Sequence, residues 1–429
     1  MITTHRQNNV TKAYSGFTRA VVRIPFAFHI LLYMLKRNTY PLFRLSTSRN
    51  GLLRSLKLEK ELLLSKTIKF NGSYYSGLSL PHYPSKAFDR AVALGALNSC
   101  AAGTPLKRSI DNVIIGITSK CTYACRHCYE LRNINRSHEL SLETWKKTIY
   151  SLQHLGVGII ILSGGEPMLR FEDVIELLRS SNRDLSDFHL HTSGYGVTEE
   201  RAHELKAAGL NCAAVGFDDV DEQRLNALRG NPHAFETAVH ALECFHKAGI
   251  FTYTNLCVTK ELVRSGDLWR YYDLVKELRV GIVQILEPRP CGGFDGASME
   301  DLFESSDRRQ LTDFVRRGNT EPRYKDYPLL YYVAYIESPE RMGCTMGGLT
   351  HFTIDSAGNV NPCVFVPVSF GNIQQEDLGT IVSRMRAAVP RPLPIACPSI
   401  LLSPVVHELN GDHIHQTVPF ESVRDVWPM

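Results

Sequence analysis

Long apolar runs are missing from this chain of 429 residues, which excludes an obvious membrane-spanning helix, since one needs about 20 consecutive apolar residues. The nearest approach, residues 20–35, is broken by Arg23, Pro25 and His29 and closed by Lys36 and Arg37. It reads as a helix docked on the protein's own core, with contact to a membrane surface as the alternative because basic flanks suit an interfacial helix. An excess of one charge is also missing. Lys plus Arg number 48 against 44 Asp plus Glu, so there is no basic field to attract nucleic acid. Neither a repeat nor a secretory signal is evident, and three of the 11 cysteines crowd into eight residues. That crowding argues for metal binding in a reducing, cytoplasmic setting rather than a disulfide framework. With 44% hydrophobic residues the chain can bury a large core, and its length predicts two or three domains at about 150 residues each.

Residues 1–110 carry no chemical motif; Leu62 to Leu64, Ile68 and Phe70 read as ordinary helix and strand material. From Asn112 onward, short apolar runs at 113–117, 158–163, 186–192, 211–217, 251–258 and 281–287 alternate with amphipathic stretches, a pattern that predicts a parallel sheet. Ser141 caps a helix whose Leu142, Trp145, Ile149, Leu152 and Leu155 share one face before Gly156 ends it; Thr198 and Gly209 frame another. Pro232 and Gly249 bracket a third, with Phe235, Val239, Leu242 and Phe245 as its stripe. In such folds the loops after the strands build the site. Past residue 290 come a Gly-rich loop at Cys291, a helix over 307–317, a Pro- and Tyr-rich connection to Arg341, a hairpin over 351–364 turning at Gly358, a short helix over 378–385, and a proline-rich tail expected to be irregular.

The first strand runs directly into Thr118-Ser-Lys-Cys121-Thr-Tyr-Ala-Cys125-Arg-His-Cys128-Tyr129, a C-x3-C-x2-C loop. Three soft thiolates suit an iron–sulfur cluster or zinc. A cubane held by three thiolates keeps one iron open; zinc would take His127 or His138 as a fourth ligand. This segment resembles the signature of the radical S-adenosylmethionine superfamily, C-x3-C-x-aromatic-C, with His127 at the aromatic position. Ser163-Gly164-Gly165-Glu166-Pro167 resembles the family's GGEP motif, His191-Thr192-Ser193-Gly194 its Thr-Asn-Gly segment with Ser193 for Asn, and Val215-Gly216-Phe217-Asp218 its Val-Ser-Leu-Asp with Gly216 lacking the hydroxyl. Arg229-Gly230 matches the Arg-Gly after the same strand.

The resemblance implies a [4Fe-4S] cluster on Cys121, Cys125 and Cys128 that cleaves S-adenosylmethionine, with Tyr129, Gly164, Gly165, Glu166, Pro167, Ser193 and Arg229 around that cofactor; a solvated helix-end arginine is the alternative for Arg229. It implies a (β/α)6 partial barrel over 111–290, an α/β fold, and a small α+β extension over 291–429. In that extension Cys344, Gly358 and Cys363 stand as C-x13-G-x4-C, resembling the start of a SPASM or twitch domain. A second, auxiliary cluster on Cys344, Cys363 and Cys397, with Cys291 as a distant candidate, is then expected, or a degenerate domain that keeps the fold without metal. The resemblance further implies an electron donor such as flavodoxin or ferredoxin and a substrate of the peptide class, or else a small molecule or lipid; a zinc-stabilised binding protein is the non-enzymatic rival. No residue is singled out as catalytic. Cys100, Cys212, Cys244 and Cys257 read as small buried hydrophobes, and His407, His413 and His415 as a solvated turn.

Overall fold

The computed structural model describes residues 11–15, 66–97, 108–136, 139–410 and 417–428. Residues 20–35, Leu62 to Leu64, Cys100, His138, His413 and His415 lie outside the described residues. Strands β1 (Thr11–Ser15), β2 (Lys66–Phe70) and β3 (Ser73–Tyr75) form a small antiparallel sheet. The main sheet begins with β4 (Asn112–Thr118), β5 (Ile159–Gly164), β6 (Asp187–Thr192), β7 (Cys212–Gly216), β8 (Phe251–Cys257) and β9 (Ile282–Leu286), all parallel and adjacent in chain order. These are the six runs expected from the sequence. Most of their residues are buried because parallel strands are covered on both faces, although β6 and β8 also carry polar side chains.

Helices of eight residues or more are numbered α1 (Lys86–Ala93), α2 (Leu142–His154), α3 (Phe171–Ser180), α4 (Glu199–Ala208), α5 (Glu222–Arg229), α6 (Ala234–Lys247), α7 (Leu268–Glu277), α8 (Ser305–Thr320), α9 (Leu378–Ala388) and α10 (Pro398–Asn410). The expected caps are made: Ser141 accepts from the Thr144 amide and Thr198 from the Arg201 amide. Gly209 closes α4 in the left-handed region at φ 113°, a conformation that glycine reaches without steric cost. Pro232 precedes its helix rather than starting it; α6 begins at Ala234.

The sheet does not stop at residue 290. β10 (Leu329–Tyr332), inside the stretch taken for a plain connection, pairs parallel with β9; β11 (His351–Ile354) pairs parallel with β4 and antiparallel with β12 (Val360–Asn361). A nine-stranded sheet results, in the order β10-β9-β8-β7-β6-β5-β4-β11-β12. The tail is not irregular either. Pro398 occupies the first turn of α10, where a missing N–H costs nothing, and Leu402 and Val406 are buried. His407 therefore stands on a helix, 3.3 Å from Asp295, and not in a solvated turn.

The small sheet has a clear structural task. Ile68, Phe70 and Tyr75 pack on Cys212, Phe251, Ile282 and Leu329, the first residues of β7, β8, β9 and β10. It closes the amino-terminal end of the barrel, with Tyr75 stacked on Phe251 at 3.7 Å. The buried Lys66 ammonium donates to the Tyr272 hydroxyl at 2.8 Å and the Tyr324 carbonyl at 2.7 Å, pinning the sheet to the helical layer. No helix among the described residues is long and apolar enough to cross a membrane.

Candidate active site

The carboxyl ends of the strands surround a cavity of about 1130 Å³, and the cysteine loop lies at its rim. Cys121, Cys125 and Cys128 are all partly exposed free thiols. Glycines elsewhere hold the loop from two sides. A Cβ on Gly230 would fall 2.5 Å from the Ala124 carbonyl, and one on Gly292 or Gly293 would fall 2.1 Å from the carbonyls of Cys128 or Arg126. The Gly293 amide donates to Cys128 at 2.9 Å and the Arg126 amide to Leu228 at 2.9 Å. Arg-Gly and Cys-Gly-Gly are thus packing devices for the cysteine loop.

Burial pushes the Cys125 thiol up to about 11, against the pull of Arg229, and raises Cys121 and Cys128 as well. Thiols that resist ionising alone become thiolates when a cationic core supplies the missing charge. These three fit a cluster. A mononuclear zinc fits poorly: tetrahedral Zn–S bonds of about 2.3 Å need sulfurs roughly 3.8 Å apart, and among the described residues no three Cys, His, Asp or Glu gather closely enough for one ion.

Gly164 and Gly165 lie against the start of that loop. Their Cβ atoms would sit 2.3 Å from the Thr118 carbonyl and 2.2 Å from the Lys120 carbonyl, and the Gly165 and Glu166 amides donate to those same two oxygens, each at 2.7 Å. The close approach these glycines permit is to the protein's own backbone. Pro167 opens a short 3-10 turn after them. Glu166 is 1% exposed and accepts from the Thr192 hydroxyl (2.7 Å), the Ser193 amide (2.8 Å), the Ser193 hydroxyl (2.6 Å) and the Met168 amide (3.1 Å). Two of the sequence motifs are therefore one hydrogen-bonded unit, in which Ser193 and Glu166 hold each other. The Tyr129 hydroxyl lies 3.3 Å from that of Ser163, which fixes its ring in the cavity wall.

Arg229 is not solvated. It is 7% exposed and pairs with Asp218 at 2.7 Å. Its guanidinium lies over Gly216, where a Cβ would come within 2.1 Å of it. The glycine that appeared to lack a useful hydroxyl is what makes room for the arginine. Asp218, not singled out from the sequence, also accepts from the Cys257 amide at 2.9 Å and stands 3.7 Å from His127 Nε2. His127 Nδ1 has no partner, and burial lowers the imidazole pKa, so the ring is neutral. Gly216→Ala is expected to displace the buried Arg229 and lower stability by about 1–3 kcal/mol, as overpacking does. Denaturant unfolding checks this; an unchanged midpoint would mean that the guanidinium has somewhere else to go.

Cys344, Cys363, Cys397 and Cys291 line the cavity as well, Cys291 directly before the Gly292–Gly293 clamp on the cysteine loop. Burial raises the Cys291 thiol to about 12 and lifts Cys344 and Cys363 further, and in each case the nearby Cys397 adds to the rise. The candidate that is distant in sequence is close in space. Backbone bonds of 3.0 and 2.9 Å between Cys344 and Leu393 bring the chain around to Cys397. Beside them Glu287 accepts from Arg289 and Arg308, each at 3.0 Å, and from Tyr332. Cys257 also lines the cavity; of the four cysteines read as buried hydrophobes, Cys212 and Cys244 are buried as expected. The signal for the missed cavity residues was present: in β6 and β8 the polar side chains His189, His191, Tyr253 and Asn255 recur at every second position, and alternate residues of a strand share a face.

The chain matches the family model of the radical SAM superfamily over residues 115–265 and that of an iron-sulfur cluster-binding domain, SPASM, over residues 344–396. It is 25% identical to the AdoMet-dependent heme synthase of Nitratidesulfovibrio vulgaris over 276 residues, 60% of this chain and 74% of that protein. It is 28% identical to the PqqA peptide cyclase of Streptomyces rochei over 257 residues, 58% of this chain and 68% of that one. The crystal structure of Streptococcus suis SuiB bound to its precursor peptide SuiA superposes with a TM-score of 0.56 at 16% identity, over 69% of this chain and 74% of that one, a likeness of fold.

Proposed function

We propose that this chain, a radical SAM enzyme carrying a SPASM domain, modifies a peptide inside the barrel cavity. The observation that carries the reading is two cysteine sets at one cavity of about 1130 Å³: the loop of Cys121, Cys125 and Cys128, whose His127 and Tyr129 line the wall, and Cys291, Cys344, Cys363 and Cys397, which line it themselves. In this reading the first set holds the catalytic [4Fe-4S] cluster and the second an auxiliary one. When bound, a cluster with one iron free of protein ligands supplies the electron that splits the S–C5′ bond of S-adenosylmethionine and so yields a 5′-deoxyadenosyl radical.

The protein's own residues bind, orient and exclude water. The Gly164–Pro167 turn, fixed to the cysteine loop, offers backbone groups beside the rim, with Tyr129 and the Ser193–Glu166 unit next to it. Arg229 is the cation suited to a carboxylate of the cofactor, and Asp218 sets its direction. The small sheet at the amino-terminal end leaves the opposite mouth as the way in for a substrate.

Peptide is favoured because the relatives include a peptide cyclase and the fold match includes a structure with a precursor peptide. A tetrapyrrole is the second reading, since a heme synthase matches over 60% of the chain against 58% for the peptide cyclase. Anaerobic incubation with S-adenosylmethionine, dithionite and candidate precursor peptides is expected to give 5′-deoxyadenosine together with a peptide of altered mass. Altered porphyrin with no altered peptide would instead carry the second reading.

A further inference from the structure

We propose that Asn255 and Gln284 read a substrate amide group inside the barrel, the side-chain oxygen of Asn255 accepting its N–H while the Gln284 carboxamide donates to its carbonyl. The inference deepens the peptide reading and rests on it.

Asn255 and Gln284 are register partners on the neighbouring parallel strands β8 and β9, and both line the cavity. The direction of the Asn255 side chain follows from its neighbours. Its Nδ2 lies 3.4 Å from His191 Nδ1, His191 Nε2 lies 2.8 Å from the Tyr253 hydroxyl, and that hydroxyl lies 3.1 Å from His189 Nδ1. If Asn255 donates, His191 accepts at Nδ1 and donates from Nε2 to Tyr253, which donates to His189: one tautomer at each ring satisfies the whole chain. The small Ala214, register partner of both His191 and Tyr253, lets the tyrosine reach across β7.

This relay uses the Asn255 amide nitrogen and leaves Oδ1 buried with no partner. An unmatched buried acceptor costs about 1–3 kcal/mol, which a ligand donor at that point recovers. Beside it the Gln284 amide supplies the complementary donor. The surroundings set the charge of the group that fits. Burial holds His189 and His191 neutral, at about 3 and about 4, and keeps Tyr253 protonated. Of the charged residues that line the cavity, Glu287, Arg289 and Arg308 follow the end of β9 at the carboxyl mouth, while Asp111 and Glu337 stand on other parts of the wall. An ammonium or carboxylate held against this uncharged wall of β6, β8 and β9 would be partly desolvated without a charge on those strands' cavity-lining side chains to offset it. A neutral group that both donates and accepts, in the plane of a carboxamide, is what the wall complements, and the peptide bond is such a group.

The test uses the reconstituted enzyme with S-adenosylmethionine and two probes of matched shape, N-benzylacetamide and benzyl acetate, followed by saturation-transfer difference NMR. The wild type is expected to bind the amide about five- to tenfold more tightly than the ester, the worth of one well-made hydrogen bond. Asn255→Leu is expected to shrink that preference toward unity, whereas Gln284→Leu, which removes the donor to the carbonyl that both probes share, is expected to weaken both probes alike; S-adenosylmethionine affinity stays in place in each. Equal binding of the two probes by the wild type overturns the inference, as does a preference that survives Asn255→Leu or a Gln284→Leu that binds both probes as the wild type does. Loss of S-adenosylmethionine affinity in Asn255→Leu also overturns it, by assigning the orphan oxygen to the cofactor. A preference that disappears in Asn255→Leu, in an enzyme that alters no peptide, upholds the amide site and sinks the peptide reading alone.

Discussion

Replacing Cys121, Cys125 and Cys128 together by alanine is expected to remove about four irons from the anaerobically reconstituted protein and to abolish 5′-deoxyadenosine formation. The three side chains are the only cysteines on the loop that follows β4, and that loop is clamped by Gly230, Gly292 and Gly293 through backbone contacts that do not involve the sulfurs. The variant should therefore keep its fold, and circular dichroism together with the remaining iron separates loss of ligands from loss of structure. Iron content unchanged by the triple substitution would place the cluster elsewhere. Zinc in place of iron, insensitive to reconstitution, would remove the radical chemistry from the reading altogether.

The second large effect concerns the other cysteine set. Alanine at Cys344, Cys363 and Cys397 together is expected to remove about four further irons while 5′-deoxyadenosine formation without substrate continues. Cys291→Ala by itself should behave differently. Four thiolates close every iron of a cubane that has one ligand per corner, whereas three leave one open, so the single variant should retain its iron but become responsive to added ligands. Addition of imidazole is expected to change the electron paramagnetic resonance signal of the second cluster in Cys291→Ala and not in the wild type. Cys257→Ala, which removes another cavity thiol, should leave iron content and that signal untouched. A second cluster equally indifferent to imidazole in both proteins would mean that Cys291 is not its ligand.

Much of the catalytic half was legible from the chain alone because its signals are local. A cap such as Ser141 acts on an amide three residues away, and the spacing of Cys121, Cys125 and Cys128 lies within one loop. What escaped depends on contacts made across long stretches of chain. The sequence leaves Arg229 open between a cofactor contact and a solvated helix end; that it is buried in the space Gly216 vacates depends on the fold. Cys291 is only a distant candidate in the sequence until the fold brings it beside Cys397. The four-residue strand β10 is too short for periodicity to distinguish; β11 was legible as the first arm of the hairpin with β12, but its pairing with the free edge of β4 was not. The helix α10 was hidden by its prolines, of which Pro398 sits where a helix tolerates one and Pro404 interrupts the interior.

One join has a mechanical consequence. β11, from the SPASM segment, is laddered directly onto β4, the strand that delivers the chain to Cys121. The halves that bear the two cysteine sets are thus ribs of one chassis, with no hinge between them along this seam. An electron passing from one set to the other would cross a gap of constant width, so its rate should be insensitive to solvent viscosity, and the pace of turnover would be set by the traffic of substrate and product through the open mouth.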